Sequence, residues 1–230
     1  MENIQIFIKH FFEYGGYNDF FKGLSNTAMI AVFGLLIGFL LGCIIATVKI
    51  IPSKNPLVKI AQVICDIYVT LFRGTPMVVQ LLLMHFALFP MLGIEIESVM
   101  EAVIIFGMNS AAYMAEILRG GINAVDVGQM EAGRSLGFGF AGTMIRIILP
   151  QAIKNILPTL GNEFIALIKE TSVVSFIAVL DITKSFQNIA ASTYEYFVPY
   201  IALAIVYLVL VLFITWLINI MEKRLNKNER

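Results

Sequence analysis

Cysteine, histidine and charge are all scarce in this 230-residue chain. Two cysteines occur, Cys43 and Cys65. Both stand alone in apolar segments, which excludes a disulfide framework or a thiolate metal site and leaves them as small core residues. The two histidines, His10 and His85, are too few for a His-rich metal cluster. No serine or cysteine has a histidine at a useful spacing, so nucleophilic hydrolysis is excluded and no catalytic or metal-ligating residue is assigned. His85 sits in an apolar run with no acid or cysteine near it in sequence, and is expected to be a satisfied buried or pore-lining histidine; His10 is expected at the surface. Charged residues make up 14% of the chain, with 16 basic against 16 acidic. That balance, without a long basic run, excludes nucleic acid as a partner. No Gly-x4-Gly-Lys-Ser/Thr loop is present, so the chain does not bind ATP by that device and needs no cofactor of its own. Met1-Glu2-Asn3 has no basic character and no cleavage site follows, so the first span is expected to be its own targeting signal. With no internal repeat and no linker, one domain over 1–230 is expected.

Apolar residues are abundant. They form 59% of the chain, and the mean hydropathy is +0.85. A soluble domain of this size is not so apolar. Backbone groups must be satisfied within the bilayer, and the alternation of a barrel is absent, so an all-α integral membrane fold follows. At about 20 apolar residues per span, five transmembrane helices fit, over 24–50, 57–89, 99–118, 153–180 and 196–220. Residues 1–23 are apolar but interrupted by Glu13, Gly15, Gly16 and Asp19, and are expected to lie on the outer interface. Lys49, Lys54 and Lys59 fall between spans one and two, and Arg119, Arg134, Arg146 and Lys154 in the long loop 119–154. Lys223, Arg224, Lys227 and Arg230 form the tail. By the positive-inside rule the loop and C-terminus are cytoplasmic and the N-terminus is outside, in a multi-pass protein of the cell (plasma or inner) membrane. Gly34, Gly38 and Gly42 recur every four residues in span one and permit close helix approach, either within the subunit or at a dimer seam.

The loop is the most distinctive segment. Asp126 or Asn123 can cap a first short helix carrying Gln129, Met130, Glu131, Ala132 and Leu136. Gly137 and Gly139 interrupt it, and a second short helix over 140–148 is expected to end at Pro150. Small residues (Ala132, Gly133) allow close contact, while Met130, Leu136 and Phe138 can fill a groove, which suits a helix laid into a partner's cleft.

Glu131, Ala132, Gly137, Ile147, Leu149 and Pro150 match the pattern E-A-A-x3-G-x9-I-x-L-P, with Gly133 where alanine is usual. The loop therefore resembles the signature of permease subunits of ATP-binding-cassette (ABC) importers of type I. The resemblance implies that Gln129, Glu131, Ala132, Gly133, Ser135, Leu136 and Gly137 dock a separate ATPase subunit, which binds the ATP. Leu71-Phe72-Arg73-Gly74-Thr75-Pro76 with Gln80, Asn109-Ser110-Ala111-Ala112-Tyr113, and the stretch from Gly161-Asn162-Glu163 to Lys169-Glu170-Thr171-Ser172 are similar to polar amino acid permeases of the histidine, glutamine, arginine and cystine group. The likeness runs over about 24–220. It implies an extracytoplasmic solute-binding protein and a second permease, a copy or a paralogue, within the lipid bilayer.

Ionisable groups at membrane depth are costly and mark paths or partners. Arg73 can meet a substrate carboxylate, and Glu163 or Glu170 the amino group. Thr75, Gln80, Asn162, Thr171 and Ser172 offer neutral hydrogen bonds. Thr75-Pro76 and Gly161 are expected to loosen or break helices at that depth. Structural alternatives stand beside these: Arg73 paired with Asp66 or Glu170, Lys169 with Glu170 as an ion pair, Glu116 with Arg119 as a surface pair near the gate, and Tyr113 as packing. The competing function is an ion-coupled secondary amino acid carrier, which the docking loop and the absence of inverted halves disfavour.

Overall fold

The computed structural model describes residues 2–227, with side chains from 3 to 223; Met1, Glu2 and the tail cations Arg224, Lys227 and Arg230 lie outside the described side chains. The described residues are helical, in the order α1 (Glu2–Phe12), α2 (Gly16–Ile50), α3 (Pro56–Gly74), α4 (Met77–Leu83), α5 (Phe89–Met91), α6 (Ser98–Asn123), α7 (Val127–Ser135), α8 (Phe140–Thr143), α9 (Leu149–Glu170), α10 (Ile182–Thr193) and α11 (Phe197–Lys227). Among them α2, α6 and α11 are long and apolar enough to cross a membrane. α3 with α4–α5 meets the same test only as a pair, bent by 107° at the break, so up to four such spans are found among the described residues where the sequence suggested five. Outward-facing side chains such as Leu40, Ile64 and Phe213 are exposed, as lipid-facing positions require.

Small residues set the centre of the bundle. A side chain at Gly34 would meet Phe106, one at Gly38 would come within 2.5 Å of the Ser110 hydroxyl, and one at Gly42 within 2.5 Å of Met114. The offset is constant, so α2 and α6 run parallel, as the first and third passes of an alternating chain must. The glycine stripe is thus a seam inside the subunit. Phe106, Ile30, Leu81, Phe89 and Val174 close the core beside it.

Several sequence expectations need correction. The helix that carries the first pass starts at Gly16, eight residues ahead of the expected span, because Gly15 at φ 86 ends the preceding turn. The opening segment 1–23 is therefore α1 plus the first two turns of α2. Span four does not run to residue 180. After α9 the chain tightens into a 3-10 turn over Thr171–Ile177 and reverses at Ala178, at φ 59. α9 is also too polar to face lipid along its length, with Lys154, Glu163, Lys169 and Glu170 in 22 residues, and it packs between α2, α6 and α11. Gly161 neither breaks nor loosens α9. It sits inside the helix where a Cβ would come within 2.7 Å of Ile218 on α11.

Proline explains two local distortions. Pro90 and Pro150 each stand second in their helix, and each is preceded by a widened π turn, Met84–Leu88 and Met144–Ile148. A proline ring clashes with the carbonyl four residues back. The widened turn relieves this, and the residue before the proline donates five back: Phe89 N–H to Met84 O and Leu149 N–H to Met144 O. Pro150 therefore does not end the second loop helix but joins it to α9.

Candidate functional site

At Thr75-Pro76 the second pass breaks as expected. Proline withholds an N–H and drives the preceding residue out of the helical region. Thr75 is extended at φ −121, and α4 restarts after Pro76. Arg73, in the last turn of α3, is exposed with Gly74, Thr75 and Pro76. Its guanidinium lies 5.4 Å from the centre of the Tyr113 ring on α6. Tyr113 is within Coulombic range of Glu163 and Glu170 of α9 as well as Arg73, and Glu163 is within range of Arg73. Three helices, α3, α6 and α9, thus bring one cation and two carboxylates into the electrostatic surroundings of one aromatic ring.

Arg73 also borders two cavities. One, of about 490 Å³, is lined by Arg73, Tyr113, Glu116, Gly120, Asn155 and Thr159 among others. The other, of about 450 Å³, is lined by Lys49, Asp66, Arg73, Glu116 and Arg119 together with Val69 and Thr70. Arg73 and Glu116 belong to both.

The remaining predicted ligands divide. Asn162 is exposed, and Glu163 and Glu170 are half-buried. Ser172 is half-buried, and its carbonyl accepts from the Ser175 hydroxyl. Thr171 is fully buried, its hydroxyl donating to Ile168 O at 2.7 Å, so it does not face a cavity. Gln80 is buried and its amide is engaged on both ends within the break. It is not free to hydrogen-bond a solute.

Sequence reasoning missed a charge network. Glu116 accepts from Lys49 at 2.8 Å and from Arg119 at 2.6 Å, and stands 3.8 Å from Arg73. Lys49 also pairs with Asp66 at 2.9 Å. The expected Glu116–Arg119 pair is present, but as one edge of a five-residue cluster joining α2, α3 and α6. Arg73 pairs with Glu116 rather than with Asp66 or Glu170. His85 was expected to lack an acidic neighbour, yet its Nδ1 pairs with Glu101, buried on α6. Contacts between different helices, at separations of 16 to 67 residues, leave no local spacing to read, although unpaired charge inside apolar runs is a signal that partners exist elsewhere.

The loop folds as two short helices around Gly137, which takes φ 89. Asp126 caps α7 by accepting from Gly128 N–H at 2.7 Å. Met130 and Gly133 do not point to a partner, as the sequence suggested. Met130 packs onto the chain's own cluster of Val125, Ile148, Ala152 and Ile156. Gly133 is buried, and a Cβ there would stand 2.5 Å from Thr143 and 2.9 Å from Ile147. The unusual glycine is therefore matched to Thr143 across the loop. Gly133→Ala is expected to lower the stability of the loop by about 1–3 kcal/mol through overpacking, and adding Thr143→Ala to restore most of it; melting of the purified protein in detergent checks both. Gln129, Glu131, Ala132, Ser135, Leu136 and Gly137 are exposed, with Leu136 at 77%. Gln129 is 3.4 Å from Gln151, and Ser135 donates to Glu131 O. Arg146 sits over the Phe138 ring at 5.7 Å and pins the loop's far side.

A family model described as binding-protein-dependent transport system inner membrane component matches residues 34–227. The chain belongs to this family. The arginine transport system permease protein ArtQ of Bacillus subtilis (strain 168) is 40% identical over 208 residues, covering 90% of this chain and 93% of that protein. A putative glutamine transport system permease protein GlnP of Rickettsia bellii (strain RML369-C) is 40% identical over 204 residues, covering 89% and 91%. A solved structure described as an amino acid ABC transporter with histidines superposes with a TM-score of 0.84 at 41% identity, covering 93% of this chain and 98% of that one. The permease is thus a membrane-embedded transport subunit of an ABC importer, with ATP hydrolysis carried by a separate subunit. Nothing in these similarities favours a gradient-driven carrier.

Proposed function

We propose that this permease carries a polar amino acid along a path that passes Arg73. The observation that carries it is the electrostatic grouping of Arg73, Tyr113, Glu163 and Glu170 from three helices. A zwitterion needs a cation for its carboxylate and an acid for its ammonium, and both are costly to hold at membrane depth without such a use. Relatives named for arginine and glutamine transport support the same cargo class.

Residues 129–137 dock the ATPase, through the exposed face of α7 with Glu131 and Leu136 at its centre. That places the loop in the cytoplasm and the N-terminus outside, in agreement with the basic residues of the loop. A solute-binding protein delivers the cargo on the outer side, and a second permease, lying against the exposed apolar faces within lipid, completes the path. Among the neutral side chains, Asn162 and Ser172 remain available to the solute, while the Thr75 hydroxyl is held between Leu71 O and the Gln80 amide.

The test is hydrolysis. The permease is reconstituted in liposomes with its cognate ATPase and binding protein, and amino acids are supplied singly. Stimulation by one of them supports the proposal and names the cargo; a stable complex stimulated by none of them overturns it.

A further inference from the structure

The break between α3 and α4 frees backbone carbonyls beside Arg73, and one buried amide collects them. The two hydrogens of Gln80 Nε2 face three acceptors, Phe72 O at 2.8 Å and, sharing one hydrogen, Thr75 O at 2.9 Å and Thr75 Oγ1 at 2.8 Å. Its Oε1 accepts from Asn109 Nδ2 on α6 at 2.8 Å, and the same nitrogen is 3.4 Å from Phe72 O. Thr75 Oγ1 in turn donates to Leu71 O at 2.8 Å. The clamp therefore grips the residue before Arg73 and the second residue after it, and anchors both to α6.

Phe72 is also packed beside Ala112 and Ala115 of α6, whereas the backbone that follows it is not enclosed. Residues 73–76 are exposed, and a Cβ at Gly74 would meet nothing within 4 Å. Gln80 is 6% exposed and Asn109 3%, and neither lines the two cavities that Arg73 borders. A buried amide whose hydrogen bonds are all internal is worth most where losing one leaves a partner unsatisfied.

We propose that Gln80, oriented by Asn109, is the positioning residue for Arg73. It fixes the backbone on both sides of the arginine, so that the guanidinium stays over Tyr113 and at the junction of the two cavities. It acts through Arg73 and does not touch the solute. This rests on Arg73 being the carboxylate partner proposed above.

The experiment is a double-mutant cycle on affinity. The permease–ATPase complex is purified in nanodiscs, and equilibrium binding of radiolabelled L-arginine or L-glutamine, whichever stimulates hydrolysis, is measured without the binding protein. Arg73→Met and Gln80→Met are each expected to weaken binding roughly tenfold, with the double variant no weaker than Arg73→Met alone, because coupled sites are non-additive. Asn109→Asp keeps the side-chain shape, and is expected to give a smaller loss that also vanishes in the Arg73→Met background; it carries the test if Gln80→Met fails to assemble. Additive losses, or full affinity in both clamp variants while Arg73→Met is weak, overturn the positioning role alone. Full affinity in Arg73→Met overturns the reading of Arg73 and the clamp's role with it.

Discussion

Glu131→Lys and Leu136→Asp are expected to abolish transport-coupled ATP hydrolysis while leaving the permease folded. Both side chains are exposed on or just after α7, Leu136 at 77%. The loop's own stability comes from the other face, where Gly133 meets Thr143 and Met130 joins Val125, Ile148 and Ala152. The two faces of α7 are thus separable by mutation. Where such a face anchors a partner, truncating or reversing an anchor residue costs about 2–4 kcal/mol, or roughly two orders of magnitude in affinity. Co-purification of the ATPase and substrate-stimulated hydrolysis should both fall to that extent, while melting of the isolated permease stays within about 0.5 kcal/mol of the parent, as surface substitutions do. Retained assembly and uptake in both variants would show that the exposed face of α7 is not the docking surface.

Glu116→Leu is expected to destabilise the bundle markedly. Glu116 accepts from Lys49 and Arg119 and faces Arg73. Its side chain is 17% exposed and that of Lys49 13%. Removing the acid leaves Lys49 largely buried with only Asp66, itself 60% exposed, to balance it. Breaking a buried pair on one side costs about 3–5 kcal/mol. Arg73 and Arg119 are 44% and 40% exposed, and solvent screening makes their share small, so a loss of about 2–3 kcal/mol is expected here. Adding Lys49→Met should recover most of it, because the stranded charge is then gone. Glu116→Asp should fall between. Thermal unfolding in detergent across these variants is the measurement, and equal stability of Glu116→Leu and the parent would show that the cluster holds nothing together.

Much of this was legible in the residues. The helical class followed from the apolar content, since lipid leaves the backbone no other solution for a chain without alternating strands. The break at Thr75-Pro76 was legible because proline acts locally on its own N–H and on the residue before it. The cap at Asp126 and the reversal at Gly137 were legible for the same reason, each depending on a few neighbouring atoms. The misreadings have one origin. Met130 and Gly133 looked like partner-facing residues because sequence shows that a side chain is apolar or small but not which face of α7 it occupies. Gly161 looked like a breaker, yet in helices packed within a membrane glycine serves close approach, and Ile218 fills the space beside it. Gln80 and Thr171 looked like ligands because free and committed hydrogen-bonding groups have the same letter code.

Composition, local backbone chemistry and the spacing of the loop motif determined that this is a helical membrane protein with a rigid loop of importer type. Those properties depend on solvent and on atoms a few residues apart. Only the tertiary structure decided which charges face which. It set Glu116 between three cations from three helices, His85 against Glu101, the glycine stripe of α2 against α6, and Gln80 around the backbone of Arg73. Most of these join different helices or two sides of a helix break, and a one-dimensional pattern carries no distance between them.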